Sequence, residues 1–389
     1  MSVRRAGAVA LAMIVASAAL GAPAQAAPSP PAVATQSSGP SARAAELVAG
    51  MTTAEQAASV IMGHIPTTDP AALSAYMAQG FGGFILMGAN VPAEAADLRT
   101  VTAALAVDPS LPPLIAIDQE GGIVSRLSAD AYPASTVLKS QPASATAAAF
   151  AARASLVAQA GISVNFGTIA DVPADPSSFI YGRALGTDPQ SSAERVAAVT
   201  TAQEQFLAST LKHFPGHGAA PGDSHHAIPS TDESQELWRA TDAVPFAAGI
   251  EAGASLLMFG HLAYTAVDAA PASLSARWHE IAREDLGFEG VIVTDDLGML
   301  LSSGIPEYQD PVADAVAALA AGSDLVLMIA GSTPDTAGQM AAGIAAAVGS
   351  GSLRADRLAD AATRVLALRL SLTAASADWA LCATCEPAS

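Results

Sequence analysis

The sequence predicts an α/β fold in which eight strands, each followed by a helix, close into a single-domain (β/α)8 TIM barrel. Short apolar runs recur at 59–62, 83–87, 114–118, 162–166, 210–214, 255–259, 291–295 and 324–328. Ala-rich segments of helical length separate them, which is the alternation expected of a parallel sheet. Polar or glycine residues close the runs, and eight repeats favour a closed barrel over the alternative, a doubly wound open sheet.

Taken in order, the chain opens with Arg4 and Arg5, an apolar run over 6–20 and the small-residue pattern Ala24-Gln25-Ala26. That is the layout of an export signal, 1–26, cleaved before Ala27, and it places the mature protein outside the cytoplasm. The run is shorter than the roughly 20 residues a membrane span needs, so no transmembrane segment is expected in the mature chain. A Pro-, Ser- and Ala-rich leader, 27–42, reads as disordered. The barrel is expected over 43–372. Its third run ends in Asp118-Gln119-Glu120, the fourth in Asn165, the fifth in Lys212-His213, the sixth shortly before His261, and the seventh in Thr294-Asp295-Asp296. At the C-terminal ends of barrel strands such groups point into the active-site mouth, so five strands supply one polar, sugar-sized rim. After the eighth run, Leu358, Ala361, Val365, Leu366 and Leu368 lie on one helical face that seals the barrel wall. No second domain, and no C-terminal αβα sandwich, is expected beyond it. In the tail, 373–389, Cys382 and Cys385 suit a small local disulfide in an oxidising compartment.

Composition narrows the function. Of 389 residues 51% are hydrophobic and 14% charged, enough to bury a large core, and the formal charge of −19 disfavours nucleic acid as a partner. Lysine occurs only at positions 139 and 212, so Lys212 does not come from a stock of surface lysines. It opens Lys212-His213-Phe214-Pro215-Gly216-His217-Gly218, followed after Ala219-Ala220-Pro221-Gly222 by Asp223-Ser224-His225. Proline and glycine make this stretch a loop, and ordered loops dense in ionisable groups carry function.

This segment resembles the signature of the β-N-acetylglucosaminidase (β-N-acetylhexosaminidase) branch of glycoside hydrolase family 3. The resemblance extends to Gly80-Phe81-Gly82-Gly83-Phe84-Ile85-Leu86, Ile117-Asp118-Gln119-Glu120-Gly121-Gly122, Arg183-Ala184-Leu185-Gly186 and the segment from Leu286 to Asp296. It implies a retaining exo-enzyme acting on terminal non-reducing β-linked N-acetylglucosamine, in peptidoglycan fragments or chitooligosaccharides, through a covalent glycosyl-enzyme. It assigns Asp295 as nucleophile, His225 as general acid/base and Asp223 as the residue that orients His225. Asp118, Arg126, Arg183, Lys212 and His213 are assigned to substrate binding. Alternation along the strand does not by itself choose between Asp295 and Asp296; the family pattern favours Asp295, and Asp296 suits a helix N-cap. His217 and Asp171 are expected to shape the loop and the barrel mouth. The sequence departs from many relatives at Ile123, where they carry arginine, and at Thr168, where proline or a similar residue is common.

Two-step glycosyl transfer implies no cofactor and no metal, and a monomer is expected. A metal-dependent hydrolase built on His213, His217, His225 and Asp223 is the competing reading, but Pro215 and Gly216 break the helix that would align the first pair. Another family activity, β-glucosidase, is a further alternative, as is a sugar-binding protein without catalysis. The last would be marked by loss of Asp295 or His225, and both are present.

Overall fold

The computed structural model describes residues 39–376, so the export signal, most of the leader and the Cys382–Cys385 pair lie outside the described residues. Ten strands are present among the described residues. They are β1 (Ile61–Gly63), β2 (Gly83–Leu86), β3 (Leu114–Ile117), β4 (Val164–Ile169), β5 (Ala208–Phe214), β6 (Ser230–Thr231), β7 (Leu256–Phe259), β8 (Ala263–Tyr264), β9 (Val291–Asp296) and β10 (Leu325–Leu327). Eight close into a barrel in the order β1-β10-β9-β7-β5-β4-β3-β2, every neighbouring pair parallel. These are the eight predicted runs, and the (β/α)8 barrel is the fold of the chain. The remaining two, β6 and β8, make a separate two-residue parallel pair that is too short to leave an apolar signature.

Helix starts have a local cause. Asp69-Pro70, Asp188-Pro189 and Asp310-Pro311 each place an aspartate at the N-cap, where its side chain accepts a backbone N–H of the first turn. The proline after it fixes a helical φ at a position whose N–H has no helical partner.

Side chains alternate between two environments along each strand. Ala116, Val164, Phe166, Ala208, Leu256, Met258, Val291, Val293, Leu325 and Leu327 form one buried cluster inside the barrel. Their neighbours, such as Ile115, Leu211, Leu257 and Ile292, pack outward against the helices. The helix Ala355–Ser376 closes the N-terminal end, with Val365 joining the interior cluster and Leu368 and Leu372 packed against it. Arg369 pins that helix to the entry of β3, donating to the carbonyls of Pro112 at 3.0 Å and Leu111 at 2.6 Å. With that end sealed, the polar mouth lies at the opposite, C-terminal ends of the strands.

One strand departs from expectation. Residues 162–166 were expected to end at the rim in Asn165, but β4 runs on to Ile169, with a register shift between Asn165 and Thr168. Asn165 is therefore buried in the barrel wall, where its amide donates to the Gln119 carbonyl at 3.0 Å and to Gln203 Oε1 at 2.7 Å. The group that β4 delivers to the mouth is Asp171.

Candidate active site

Alternation settles which aspartate faces the cavity. Val291 and Val293 lie in the interior cluster, so Asp295 continues that face and Asp296 turns into the wall. Asp295 keeps part of its surface open. Its Oδ1 accepts the Asp296 N–H at 2.8 Å, and Oδ2 has no protein partner among the described residues. Burial pushes the carboxyl up, but the charges of His213, His261 and Lys212 together with that N–H outweigh it and hold the group below the ordinary carboxylate value. Asp296 differs in every respect. Its carboxylate accepts backbone N–H groups of Gly298 at 2.9 Å, Ile329 at 2.7 Å and Ala330 at 2.9 Å, capping the helix Leu297–Ser302. Burial is the dominant influence and raises its carboxyl to about 6.

The same parity brings Asp118, after Leu114 and Ala116, and Lys212, after Ala208, to the mouth. Lys212 Nζ bridges Asp118 Oδ1 at 2.7 Å and Glu120 Oε1 at 2.8 Å. Arg183 grips Glu120 with two bonds of 2.9 and 2.7 Å, and Arg126 lies 3.6 Å from Asp118. Burial opposes both charges of the Lys212–Glu120 pair. The neighbouring opposite charges win, raising the lysine and lowering Glu120 to about 2. Glu120 was legible as a strand-end carboxylate, but nothing local indicates that two cations from distant segments converge on it.

His213 is held by Asp171. Asp171 Oδ2 lies 2.7 Å from His213 Nδ1, while its Oδ1 accepts the His213 N–H at 3.1 Å and the His217 N–H at 2.6 Å. The Nδ1–H is thereby committed, and His213 Nε2 turns to Arg183 at 3.3 Å. One buried carboxylate thus ties the fixed rim to the base of the following loop. His261 bridges Ser273 Oγ at 2.7 Å and the Asp296 carbonyl at 2.9 Å, which places its ring beside Asp295. His64 and His279 are internal structural histidines, bonded to Asn90 and to Ser323.

The loop after β5 is pinned at its base and open at its tip. Trp238 Nε1 donates to the Pro215 carbonyl and the Tyr264 hydroxyl to the Gly216 carbonyl, both at 2.8 Å. Gly218 passes so close to the Val172 carbonyl that a Cβ would lie 1.5 Å from its oxygen, so no other residue fits there. Ala220 and Ser224 are buried, the latter 3.0 Å from His217 Nε2. The small residues 219–222 are therefore only partly free; Pro221, Gly222, His225, His226 and Ala227 make up the exposed part. There, Asp223 Oδ1 accepts the His225 N–H at 3.0 Å and lies 2.6 Å from His225 Nδ1, leaving Nε2 without a protein partner among the described residues.

The structure thus gathers Asp118, Arg126, Arg183, Lys212 and His213 into one charged rim around Asp295, and sets Asp223 and His225 apart as an exposed pair. Phe179, unremarked in the sequence, stands between them, its ring 5.4 Å from that of His217 and 6.2 Å from that of His225. Among the described residues no group of three or more His, Cys, Asp or Glu side chains is placed to hold a metal ion, and no helix is long and apolar enough to cross a membrane.

Known proteins share this arrangement of chain and fold. The family model described as glycosyl hydrolase family 3 N terminal domain matches residues 56–368. A beta-hexosaminidase of Pseudomonas aeruginosa is 37% identical over 254 residues, covering 64% of this chain and 74% of its own. A beta-hexosaminidase of Xanthomonas campestris is 37% identical over 309 residues, covering 73% and 90%. The structure of a family 3 β-N-acetylglucosaminidase from Paenibacillus superposes with a TM-score of 0.76 at 28% identity, over 84% of this chain and 63% of that one. A β-N-acetylhexosaminidase from Beutenbergia cavernae gives 0.72 at 29% identity, over 82% and 98%. The chain belongs to glycosyl hydrolase family 3 and is a glycoside hydrolase.

Proposed function

We propose that this protein is an exported, retaining exo-β-N-acetylglucosaminidase that removes terminal non-reducing β-linked N-acetylglucosamine from peptidoglycan fragments or chitooligosaccharides. The observation that carries the reading is Asp295, a carboxylate on the inner face of a barrel strand end, kept anionic by three cationic or imidazole neighbours and with one oxygen uncommitted. It attacks the anomeric carbon while His225 Nε2–H protonates the departing glycosidic oxygen, so the C1–O bond breaks as the aspartyl ester forms. Neutral His225 then takes a proton from water, whose oxygen bonds C1 and releases Asp295. Asp223 holds the imidazole in the required tautomer and supports it when charged. Asp118 accepts from sugar hydroxyls and Arg126, Arg183 and Lys212 donate to them, with His213 lining the same sugar-binding rim and bonds that strengthen towards the distorted transition state.

The β-linked N-acetylglucosamine substrate is supported by the hexosaminidase relatives, and export by Arg4, Arg5 and the apolar run before Ala27. Nitrophenol release from an N-acetylglucosaminide and from a glucoside tests the reading. The N-acetylglucosaminide is expected to be preferred by about 10²-fold or more in kcat/KM. Equal rates, or preference for the glucoside, would make the chain a different family glycosidase.

A further inference from the structure

We propose that Phe179 is a positioning residue that seats the His225 imidazole for proton transfer, an inference that rests on the acid/base role given to His225 above. Asp223 fixes the tautomer of His225, but the two sit on the same exposed segment, with side chains 39% and 56% exposed. Something outside that segment must define where the pair comes to rest. The rings in contact with His225 among the described residues are His226, its chain neighbour, and Phe179, which stands on the rim.

Phe179 is suited to this because its own turn is held by bonds that do not involve the loop. Ile180 beside it is fully buried, and its carbonyl accepts the N–H groups of both Arg183 and Ala184 at 2.9 Å. The Tyr181 carbonyl accepts the Lys139 ammonium, which also lies 4.0 Å from the Tyr181 ring centroid. On this fixed base the Phe179 ring meets His217 at the pinned end of the loop, meets His225 edge-on at an interplanar angle of 69°, and lies 6.0 Å from the Arg183 guanidinium. One ring therefore relates the loop tip to a sugar-binding arginine. Edge-to-face contacts are directional and weak enough to part when substrate enters, which suits a seat rather than a lock. Proton transfer depends steeply on placement: a misplacement of about 1 Å costs on the order of 10²-fold.

The test compares wild type, Phe179→Ala, Phe179→Tyr and His225→Ala on nitrophenyl and methyl β-N-acetylglucosaminides. Nitrophenolate departs without a proton, whereas the methoxy group needs one, and kcat/KM reports cleavage of the C1–O bond. His225→Ala is expected to lose about 10³-fold on the methyl glycoside and far less on the nitrophenyl one. Phe179→Ala should repeat that asymmetry at reduced scale, about 10²-fold on the methyl glycoside, and Phe179→Tyr should restore it. Equal losses of Phe179→Ala on both substrates, or none on either, would overturn the inference while leaving His225 in its role. No asymmetry in His225→Ala would instead overturn the acid/base assignment itself. Phe179→Leu, which keeps the apolar bulk without the ring, gives the same reading should the alanine variant fold poorly.

Discussion

The rim of the barrel and the tip of the loop solve opposite problems with similar residues. At the rim, Lys212, Glu120, Asp118 and Arg183 are buried or nearly so and locked into each other's charge. At the tip, Asp223 and His225 form a carboxylate–imidazole pair, but in solvent. The rim is organised before the sugar arrives and pays no reorganisation cost during reaction, whereas in the proposed mechanism the tip gives up a proton in one step and takes one back in the next. Removing a rim charge should therefore harm both stability and activity, and removing a tip group should harm activity alone.

The largest effect is expected at the nucleophile. Asp295→Ala should lower kcat/KM by about 10⁴-fold or more, with a melting temperature close to that of wild type, because the carboxylate holds only its neighbour's N–H. Next, Lys212→Met should move the urea midpoint by the equivalent of about 3–5 kcal/mol, since it strands Glu120 and Asp118 without their shared cation. Denaturant titration with parallel activity assays reads both halves of that expectation. By contrast, Asp223→Ala should reduce kcat/KM on an unactivated glycoside by about 10²-fold and leave the midpoint within about 0.5 kcal/mol. A large stability loss there would erase the distinction between rim and tip.

The smallest effect lies beneath the loop. Asp242 is buried under Gly216, its Oδ1 has no hydrogen-bond partner among the described residues, and its Oδ2 accepts from Thr241 at 3.0 Å. Burial first, and then the charge of Glu233, raise its carboxyl to about 8. A folded value above the unfolded one of about 3.9 means that the stability it confers is complete below that value and is lost as pH climbs through about 8. Glu120, lowered to about 2, has the opposite sign: its contribution is present above about 4.3 and disappears as pH falls towards 2. Asp242→Asn, which does not titrate, should match wild type near pH 4 and exceed it by roughly 1–3 kcal/mol near pH 8. Thermal melts across that range check the sign, and a variant less stable at pH 8 would contradict it.

Much of the site was legible because strand alternation is local. Asp118 and Asp295 each follow interior apolar residues two and four positions earlier, Lys212 follows the interior Ala208, and the motif segments resembled a known family. What could not be read depended on pairing in space. Asn165 alternates with the interior Val164 and Phe166 and so faces the wall, and beyond the register shift in β4 it is Asp171 that reaches the mouth. Glu120 gained its role from Arg183 and Lys212, far along the chain, and Phe179 gained its from a loop that folds back over it. Neither dependence leaves a periodic trace. The Asp295–Asp296 ambiguity was likewise closed by seeing that Val291 and Val293 face the interior and which partners each carboxylate has.

Trapping the covalent intermediate tests the central claim most directly. Incubation with a fluorinated N-acetylglucosaminide bearing a good leaving group, followed by digestion and peptide mass mapping, should place the sugar on Asp295 in the peptide containing Val291 and Val293. A label on Asp296 or on any other residue, or steady turnover of the reagent with no labelled peptide, would contradict the account.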